Sequence, residues 1–244
     1  MTFESALGLL SCVFYLAFTF GYNNFYDRHL DEPEKNPLTS GDISLKSAHL
    51  LVWGTGLLGW SLSWGLSLHI GFLCTGMFFF SWFYSGPVQG KRVFVLGSLM
   101  NCLIFIPIFY AGILVFGKPV PGGTLLCLVL APSVLIPQLA HEIQDRDSDL
   151  AAGINTVAVR LGKEKTIGCI WFLAGLRAAL AWACILPGYL AMQDAVLLSL
   201  ISCSEIGLTH LYKGKPSLAT MRLGFRFTNI ALGAGLLISW IFIN

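Results

Sequence analysis

Charged side chains are scarce in this sequence. Asp, Glu, Lys and Arg make up 11% of its 244 residues, against about 25% in a typical soluble domain. Apolar residues make up 55% of the chain, and its mean hydropathy is +0.72. Several apolar stretches reach the roughly 20 residues that a helix needs to cross a ~30 Å hydrocarbon core. The composition therefore excludes an ordinary soluble domain and predicts an all-α membrane protein.

Strong net charge and metal-binding cysteine pairs are also missing. The net charge of +2 is too small to indicate a nucleic-acid partner. None of the seven cysteines belongs to a CxxC pair, so we expect small core residues rather than zinc ligands. Glu4 precedes the first apolar stretch and no basic residue does, which argues against a cleavable signal peptide.

Eight apolar segments predict a bundle of about eight membrane-spanning helices in a single domain, residues 1–244. The segments are 5–22, 47–65, 68–84, 93–116, 122–142, 166–187, 191–210 and 221–243. Of the fifteen Lys and Arg residues, all but Lys118 and Arg177 fall on one side of this arrangement. Basic loops favour the cytosolic side, so the polar loops are predicted to face the cytosol and both termini the opposite side.

The order of features also predicts two pseudo-repeats, about 5–116 and 122–243. Each half opens with a helix that ends in acidic residues. In each half the third helix leads into a loop with Tyr and Lys, Tyr84 to Lys91 in the first and Tyr212 to Lys215 in the second.

A first acidic motif lies at the cytosolic end of the first span. Asn23, Asp27 and Asp31 are spaced four residues apart, so on a helix their side chains form one stripe at ~6 Å intervals. Oxygen ligands of this kind suit Mg²⁺, which takes one or two carboxylates and completes its octahedron with water and phosphate oxygens. The alternative is that these residues lie in a loop whose charged side chains are solvated and bind no metal.

A second acidic motif lies at the cytosolic end of the fifth span. Asp145 and Asp149 repeat the four-residue spacing, and Glu142 lies on nearly the same helix face, whereas Asp147 points elsewhere. Carboxylates near hydrocarbon are costly unless they are paired or bind a metal. Two such stripes in matching places therefore favour a functional site.

Basic residues occur on the same side of the membrane. Lys91, Arg92 and Arg28 are candidates for contacts with an anionic ligand, although each could instead be an ordinary cytosolic anchor. Arg177 lies within the sixth span, where we expect it to face a cavity or a polar partner unless it snorkels to the headgroups. The five histidines show no convergent spacing, and no role is assigned to them.

Both acidic motifs resemble those of the UbiA superfamily of intramembrane prenyltransferases. In the first, Asn23, Asp27 and Asp31 are followed by KNPLTSG at 35–41; in the second, Asp145 and Asp149 are followed by AGINTVAVRLG at 152–162. The segment from Tyr84 and Ser85 to Lys91 is similar to the loop between the family's motifs. The resemblance covers nearly the whole chain.

The resemblance implies a helical bundle around a central cavity that opens sideways to lipid. It implies Mg²⁺-dependent transfer of a prenyl group from an allylic prenyl diphosphate to a small aromatic or polar lipid acceptor. The implied metal ligands are Asn23, Asp27, Asp31, Asp145 and Asp149. The implied catalytic residues are Asp27, Asp31, Asp145, Asp149 and Lys91, and the implied substrate-binding residues are Asn23, Arg28, Tyr84, Ser85, Arg92 and Asn101. The aromatic run from Phe78 to Phe83 is a candidate lining for an isoprenoid tunnel, or else ordinary helix packing.

The sequence departs from the family in one respect. The family typically has nine spans, and its first motif ends the second of them. Here the motif ends the first span, so an N-terminal helix is expected to be missing, which puts closure of the cavity in question.

Three other functions compete with prenyl transfer. A terpene cyclase of the same superfamily would use the same metal site, and a truncated, non-catalytic form would bind lipid or a partner protein. The complete set of five ligands argues against the second. A CDP-alcohol phosphotransferase needs its aspartates within one short stretch, whereas here they are spread along the chain.

Overall fold

The computed structural model describes residues 2–29, 31, 33, 36–115, 120–212 and 218–243. Within these residues the chain is helical and contains no strand. Four lysines used in the sequence analysis lie outside the described residues: Lys35, Lys118, Lys213 and Lys215.

Nine α-helices follow one another in the described part of the chain. They are α1 (Phe3–Asp27), α2 (Leu45–Leu66), α3 (Leu68–Ser85), α4 (Leu96–Val115), α5 (Val120–Ala151), α6 (Val157–Leu161), α7 (Lys163–Ala183), α8 (Met192–Tyr212) and α9 (Leu218–Ile243). A single 3₁₀ turn, Gly90–Arg92, lies between α3 and α4.

The prediction of an all-helical membrane fold is confirmed. Each of the eight predicted spans overlaps one of the long helices, which are all but α6, and the predicted bounds differ from the observed ones by a few residues. Among the described residues, six helices are long and apolar enough to cross a membrane, namely α1, α3, α4, α5, α7 and α8. The fifth span was expected to end near residue 142, but α5 has 32 residues and carries the second acidic motif inside the helix.

Short polar residues fix where several helices begin. The hydroxyl groups of Thr2, Ser44 and Ser67 each accept a hydrogen bond from the backbone N–H three residues further on, as N-cap residues do. Gly162 separates α6 from α7 with φ +81°, a left-handed conformation that glycine adopts without a steric penalty.

The helices form two compact units. The first comprises Met1–Lys91 and Leu103–Val120, and the second comprises Arg92–Cys102 and Pro121–Asn244. The start of α4 thus belongs to the second unit and the rest of the helix to the first. The predicted single domain with two pseudo-repeats stays a prediction.

In the first unit, α1 and α2 approach closely at a glycine. A Cβ atom on Gly59 would lie 3.1 Å from the backbone nitrogen of Tyr15, and Ser11 Oγ donates a hydrogen bond to the Gly59 carbonyl at 2.9 Å. Small residues permit such contacts between apolar helices, where van der Waals packing replaces the hydrophobic effect. The buried hydroxyl of Tyr15 shares a hydrogen bond of 2.9 Å with Ser81 of α3, which joins a third helix to this contact.

The aromatic run of α3 is divided between packing and surface. The rings of Phe78 and Phe18 pack with their centroids 4.3 Å apart, whereas Phe79 and Trp82 are exposed. Phe80 lines an apolar cavity of about 570 Å³ between α3 and α4. Helix packing therefore accounts for Phe78, and the predicted tunnel lining stays a prediction.

In the second unit, Arg177 is fully buried and does not snorkel. Its guanidinium contacts Glu205 of α8 at 2.5 Å, and both side chains are 0% exposed. Arg177 also donates hydrogen bonds to Ser202 Oγ at 2.9 Å and to Ser133 Oγ at 3.1 Å, which joins α5, α7 and α8. Arg177 thus has a polar partner, as expected from its place in an apolar span, but the sequence pattern did not indicate that the partner is Glu205.

This arrangement predicts how the second unit responds to loss of one charge. Glu205→Leu should lower the free energy of unfolding by about 3–5 kcal/mol, because Arg177 is left charged and unpaired in an apolar interior. The double variant Arg177→Met, Glu205→Leu should recover most of that loss. Unfolding in mixed detergent micelles measures both, with the exposed Arg226→Met as a control. A Glu205→Leu protein as stable as the unaltered chain would contradict the assignment.

Candidate functional site

The first acidic motif forms a cluster with the loop that follows α3. Asn23 and Asp27 lie one turn apart at the end of α1, and Lys91 Nζ contacts both carboxylate oxygens of Asp27. Asn23 Oδ1 accepts hydrogen bonds from Ser85 Oγ at 2.8 Å and from Lys91 Nζ at 3.3 Å. The Lys91 and Asp27 side chains are only 16% and 11% exposed. The structure thus brings together four of the predicted site residues.

A tight turn after α3 returns the chain toward α1. The N–H of Gly86 caps α3 by donating to the Trp82 carbonyl at 2.8 Å, and a Cβ atom on Gly86 would lie 2.3 Å from that oxygen. Gln89 has a positive φ of 49°, and the 3₁₀ turn beginning at Gly90 follows it. The glycines in this loop are therefore part of what places Lys91 against Asp27.

Asp31 lies beyond the end of α1, so the predicted three-residue helical stripe is shorter than expected. Its N–H still donates to the Asp27 carbonyl at 2.9 Å, which continues the helical pattern by one bond. Its carboxylate accepts a hydrogen bond of 2.9 Å from Asn36 Nδ2. Asn36 is 1% exposed and also donates to the Asn24 carbonyl at 2.8 Å. Asn36 thus ties Asp31 to the end of α1.

The other predicted cationic and aromatic residues of this motif lie in different settings. The Arg28 guanidinium lies 4.8 Å from the Phe25 ring centroid and donates to the Phe25 carbonyl, so it folds back onto its own helix. The Tyr84 ring centroid lies 6.0 Å from Lys91 Nζ. Arg92 belongs to the second unit, where its carbonyl accepts a hydrogen bond from the Asn155 N–H at 3.1 Å.

The second acidic motif lies on the last turns of α5. Asp145 Oδ2 lies 2.7 Å from His141 Nδ1, one turn earlier on the same helix. Asp149 accepts a hydrogen bond of 3.4 Å from Thr156 Oγ1. Asp147 is 92% exposed, as expected for a side chain that points away from the motif's helix face, and it pairs with Arg146. No role was predicted for His141, although its four-residue spacing from Asp145 places the two side chains on one helix face.

Glu142 is buried, and both of its carboxylate oxygens accept hydrogen bonds from the protein. Its Oε1 accepts hydrogen bonds from Ser98 Oγ at 3.0 Å and Gln138 Nε2 at 3.1 Å, and its Oε2 accepts from the Val157 N–H at 2.9 Å. Asn101, predicted to bind substrate, donates to Gln138 Oε1 at 2.5 Å and so joins the same network. Glu142 therefore connects α4, α5 and α6 beneath the second motif.

The residues of the first motif suit a bound cation. Three oxygen atoms, one from Asn23 and two from Asp27, already converge on a single positive atom, Lys91 Nζ. Amide and carboxylate oxygens are the donors that Mg²⁺ takes from proteins. Among the residues that the structure describes, no cluster of three or more His, Cys, Asp or Glu side chains forms a site by itself. A metal held by Asn23 and Asp27 would complete its coordination with water or substrate oxygens.

Comparison with known proteins decides the family. Residues 3–230 match the sequence profile of the UbiA prenyltransferase family. This chain belongs to that family. The UbiA resemblance inferred from the two acidic motifs is thereby confirmed.

Curated relatives of this UbiA-family chain include two kinds of enzyme. A digeranylgeranylglyceryl phosphate synthase of Korarchaeum cryptofilum is 31% identical over 185 residues, 73% of this chain and 62% of that protein. A 2-acylphloroglucinol 4-prenyltransferase of Humulus lupulus is 26% identical over 204 residues, 77% of this chain and 49% of that protein. The chain thus spans less than two thirds of the length of the curated relatives it matches.

Solved structures of UbiA homologues share the fold. The apo structure of a homologue from Aeropyrum pernix K1 aligns with a TM-score of 0.76 and 18% identity, covering 98% of this chain and 91% of that one. A homologue from Archaeoglobus fulgidus bound to GPP and Mg²⁺ aligns with a TM-score of 0.73 and 22% identity, covering 96% of this chain and 87% of that one. At these identities the likeness establishes the fold of the UbiA-family chain.

The Glu142 network yields a stability prediction. In Glu142→Gln an amide N–H₂ would have to face either the Val157 N–H or the Ser98 and Gln138 donors, so at least one buried donor loses its acceptor. The free energy of unfolding should fall by about 1–3 kcal/mol. Thermal unfolding checks this, with the exposed Asp147→Asn as the matched control. Equal stability of the two variants would show that the Glu142 contacts do not hold α6.

Proposed function

We propose that this protein catalyses Mg²⁺-dependent transfer of a prenyl group from an allylic prenyl diphosphate to a small aromatic or polar lipid acceptor within the membrane. The observation that carries the proposal is the cluster of Asn23, Asp27 and Lys91 at the end of an apolar helix, in a chain of the UbiA prenyltransferase family. Oxygen donors for a metal and an ammonium for a phosphate stand side by side there.

The proposed roles follow the chemistry of each side chain. Carboxylate and amide oxygens hold Mg²⁺, and cationic or hydroxyl groups hold the diphosphate. The metal ligands are Asn23, Asp27, Asp31, Asp145 and Asp149, and the diphosphate contacts are Lys91, Arg28, Arg92, Tyr84 and Ser85. Ser85 has a further role, because the hydrogen bond that it donates to Asn23 Oδ1 holds this side-chain oxygen on the side of Lys91. Asn101 stays a proposed substrate-binding residue, as the family resemblance implies, and it donates a hydrogen bond to Gln138.

The reaction requires one C–O bond to break and one bond to form. Bound Mg²⁺ supplies positive charge that stabilises the departing diphosphate. The allylic C–O bond breaks with its electron pair on the diphosphate, and the Lys91 ammonium donates a hydrogen bond to an oxygen that gains charge. The acceptor then forms a bond to the allylic carbon and loses a proton. Apolar helices around the site exclude the water that would otherwise trap the carbon cation.

The relatives suggest which acceptors to try first. One relative carries the name of a synthase of a glyceryl phosphate lipid, and another that of an acylphloroglucinol prenyltransferase. Both acceptor classes fall within the polar lipid and aromatic groups proposed here. The greater identity to the first favours a glyceryl phosphate lipid.

The membrane side of the site also stays a proposal. We propose that both acidic motifs face the cytosol, because thirteen of the fifteen basic residues lie in segments on their side of the predicted arrangement. A diphosphate substrate made in water would then reach the carboxylates without crossing the bilayer.

The metal ligands give the most direct test. Asp27→Ala, Asp31→Ala, Asp145→Ala and Asp149→Ala should each reduce prenyl transfer by on the order of 100-fold or more, since each removes part of the charge-stabilising site. Labelled prenyl diphosphates and a panel of acceptors measure transfer, while thermal unfolding verifies folding. Asp147→Ala, at an exposed aspartate of the same helix, should keep its activity. Full activity in any two of the four variants would remove the metal-site assignment.

Dependence on the acceptor separates transfer from cyclisation. If the protein is a transferase, consumption of prenyl diphosphate should require an added acceptor, because a dry site holds no other nucleophile. The measurement is release of diphosphate and of labelled product with and without the acceptor panel. A hydrocarbon or terpene alcohol formed at a catalytic rate from prenyl diphosphate and Mg²⁺ alone would identify a terpene cyclase.

A further inference from the structure

Lys91 Nζ lies against the Asp27 carboxylate oxygens, where a metal ion bound by Asp27 would lie. Its ammonium contacts both oxygens of the Asp27 carboxylate and lies 3.3 Å from Asn23 Oδ1. The direction of the Asn23 amide is fixed, because Ser85 Oγ and Lys91 Nζ are both hydrogen-bond donors to the same atom. The two Asp27 carboxylate oxygens and Asn23 Oδ1 therefore all direct lone pairs at one cation, the Lys91 ammonium.

The surroundings leave little room for two cations at this point. Asp27 and Lys91 are 11% and 16% exposed in their side chains, so water screens the pair weakly. A divalent cation that used the same Asp27 oxygens would meet the Lys91 ammonium within a few ångströms. Such like-charge contact costs more as the effective dielectric falls. Either the ammonium or the metal can hold these oxygens, but not both.

We propose that Lys91 acts as a stand-in cation on Asp27 and Asn23, so that a divalent metal binds there tightly only together with a diphosphate. This inference rests on the proposed function and adds an order of binding to it. A diphosphate offers the ammonium new anionic acceptors, and Lys91 can leave Asp27 for them without losing a charged partner. The metal then takes the oxygens that the ammonium has released.

The exchange makes metal and diphosphate binding cooperative. Each ligand removes an obstacle to the other, and by linkage the two must raise one another's affinity by the same factor. Lys91 also keeps Asp27 neutralised until both arrive, which avoids an unpaired carboxylate beside hydrocarbon. The flexible four-carbon stem of lysine, with three donors on a point charge, suits such a move better than the planar fork of arginine.

The test measures binding of Mn²⁺, as a paramagnetic substitute for Mg²⁺, to the purified full chain in detergent. Electron paramagnetic resonance counts free Mn²⁺ in the presence and absence of inorganic diphosphate. The unaltered protein should bind Mn²⁺ weakly alone and at least tenfold more tightly with diphosphate. Lys91→Met should bind Mn²⁺ alone at least tenfold more tightly than the unaltered protein, and diphosphate should improve that binding much less.

Matched variants separate the possible outcomes. Lys165→Met removes one positive charge from an exposed position and should bind Mn²⁺ as the unaltered protein does. Lys91→Gln serves if Lys91→Met does not fold. If neither Lys91 variant binds Mn²⁺ alone more tightly than Lys165→Met, Lys91 is an ordinary ion-pair partner and the inference is wrong.

The same experiment tests the proposed function separately. If the unaltered protein binds Mn²⁺ with diphosphate and Asp27→Asn does not, the metal site stands whatever Lys91 does. If Asp27→Asn binds Mn²⁺ and diphosphate as well as the unaltered protein, the metal-site assignment fails, and the role of Lys91 fails with it.

Discussion

An apolar helix bundle leaves a charged side chain with little besides the protein to solvate it, and this constraint determines where the chemistry of the molecule lies. Asp27 is held by Lys91, and Arg177 by Glu205 and two serines. Both pairs lie against helices composed largely of apolar residues. A charge in such a setting must be matched by a partner or moved toward water. The few charged residues among these apolar helices therefore each need a structural or functional explanation.

The two ion pairs solve this problem in different ways. Arg177 and Glu205 are fully buried, and Ser202 and Ser133 accept three further hydrogen bonds from the guanidinium. No ligand can reach this pair unless the helices separate, so the pair is a permanent contact between α7 and α8. Lys91 and Asp27 keep a small exposed fraction, and the lysine lies on a short 3₁₀ turn rather than in an α-helix. Under the proposed order of binding, that pair exchanges partners when an anionic substrate arrives.

Hydropathy and periodicity predicted the long helices and the positions of both acidic motifs, because those patterns depend on neighbours along the chain. They could not predict partners from distant segments. Glu142 and Asp145 have nearly the same helical direction, yet Glu142 is consumed by hydrogen bonds to α4 and α6, whereas Asp145 contacts His141. Glu205 was visible as an acid in an apolar span, but its pairing with Arg177 depends on how α7 and α8 pack. The role of Asn36 was not predictable either, because its hydrogen bond to Asp31 depends on how the loop folds back.

The length of α5 bears on what happens after catalysis. At 1.5 Å per residue, its 32 residues measure about 48 Å, well beyond a ~30 Å hydrocarbon core. If its apolar N-terminal portion spans that core, the final turns with Asp145 and Asp149 stand among the lipid headgroups. Under the proposed reaction, the prenyl group leaves its diphosphate and, joined to the lipid acceptor, stays in the bilayer. The freed diphosphate is released directly into water, so the two products part into different phases and recombination is disfavoured.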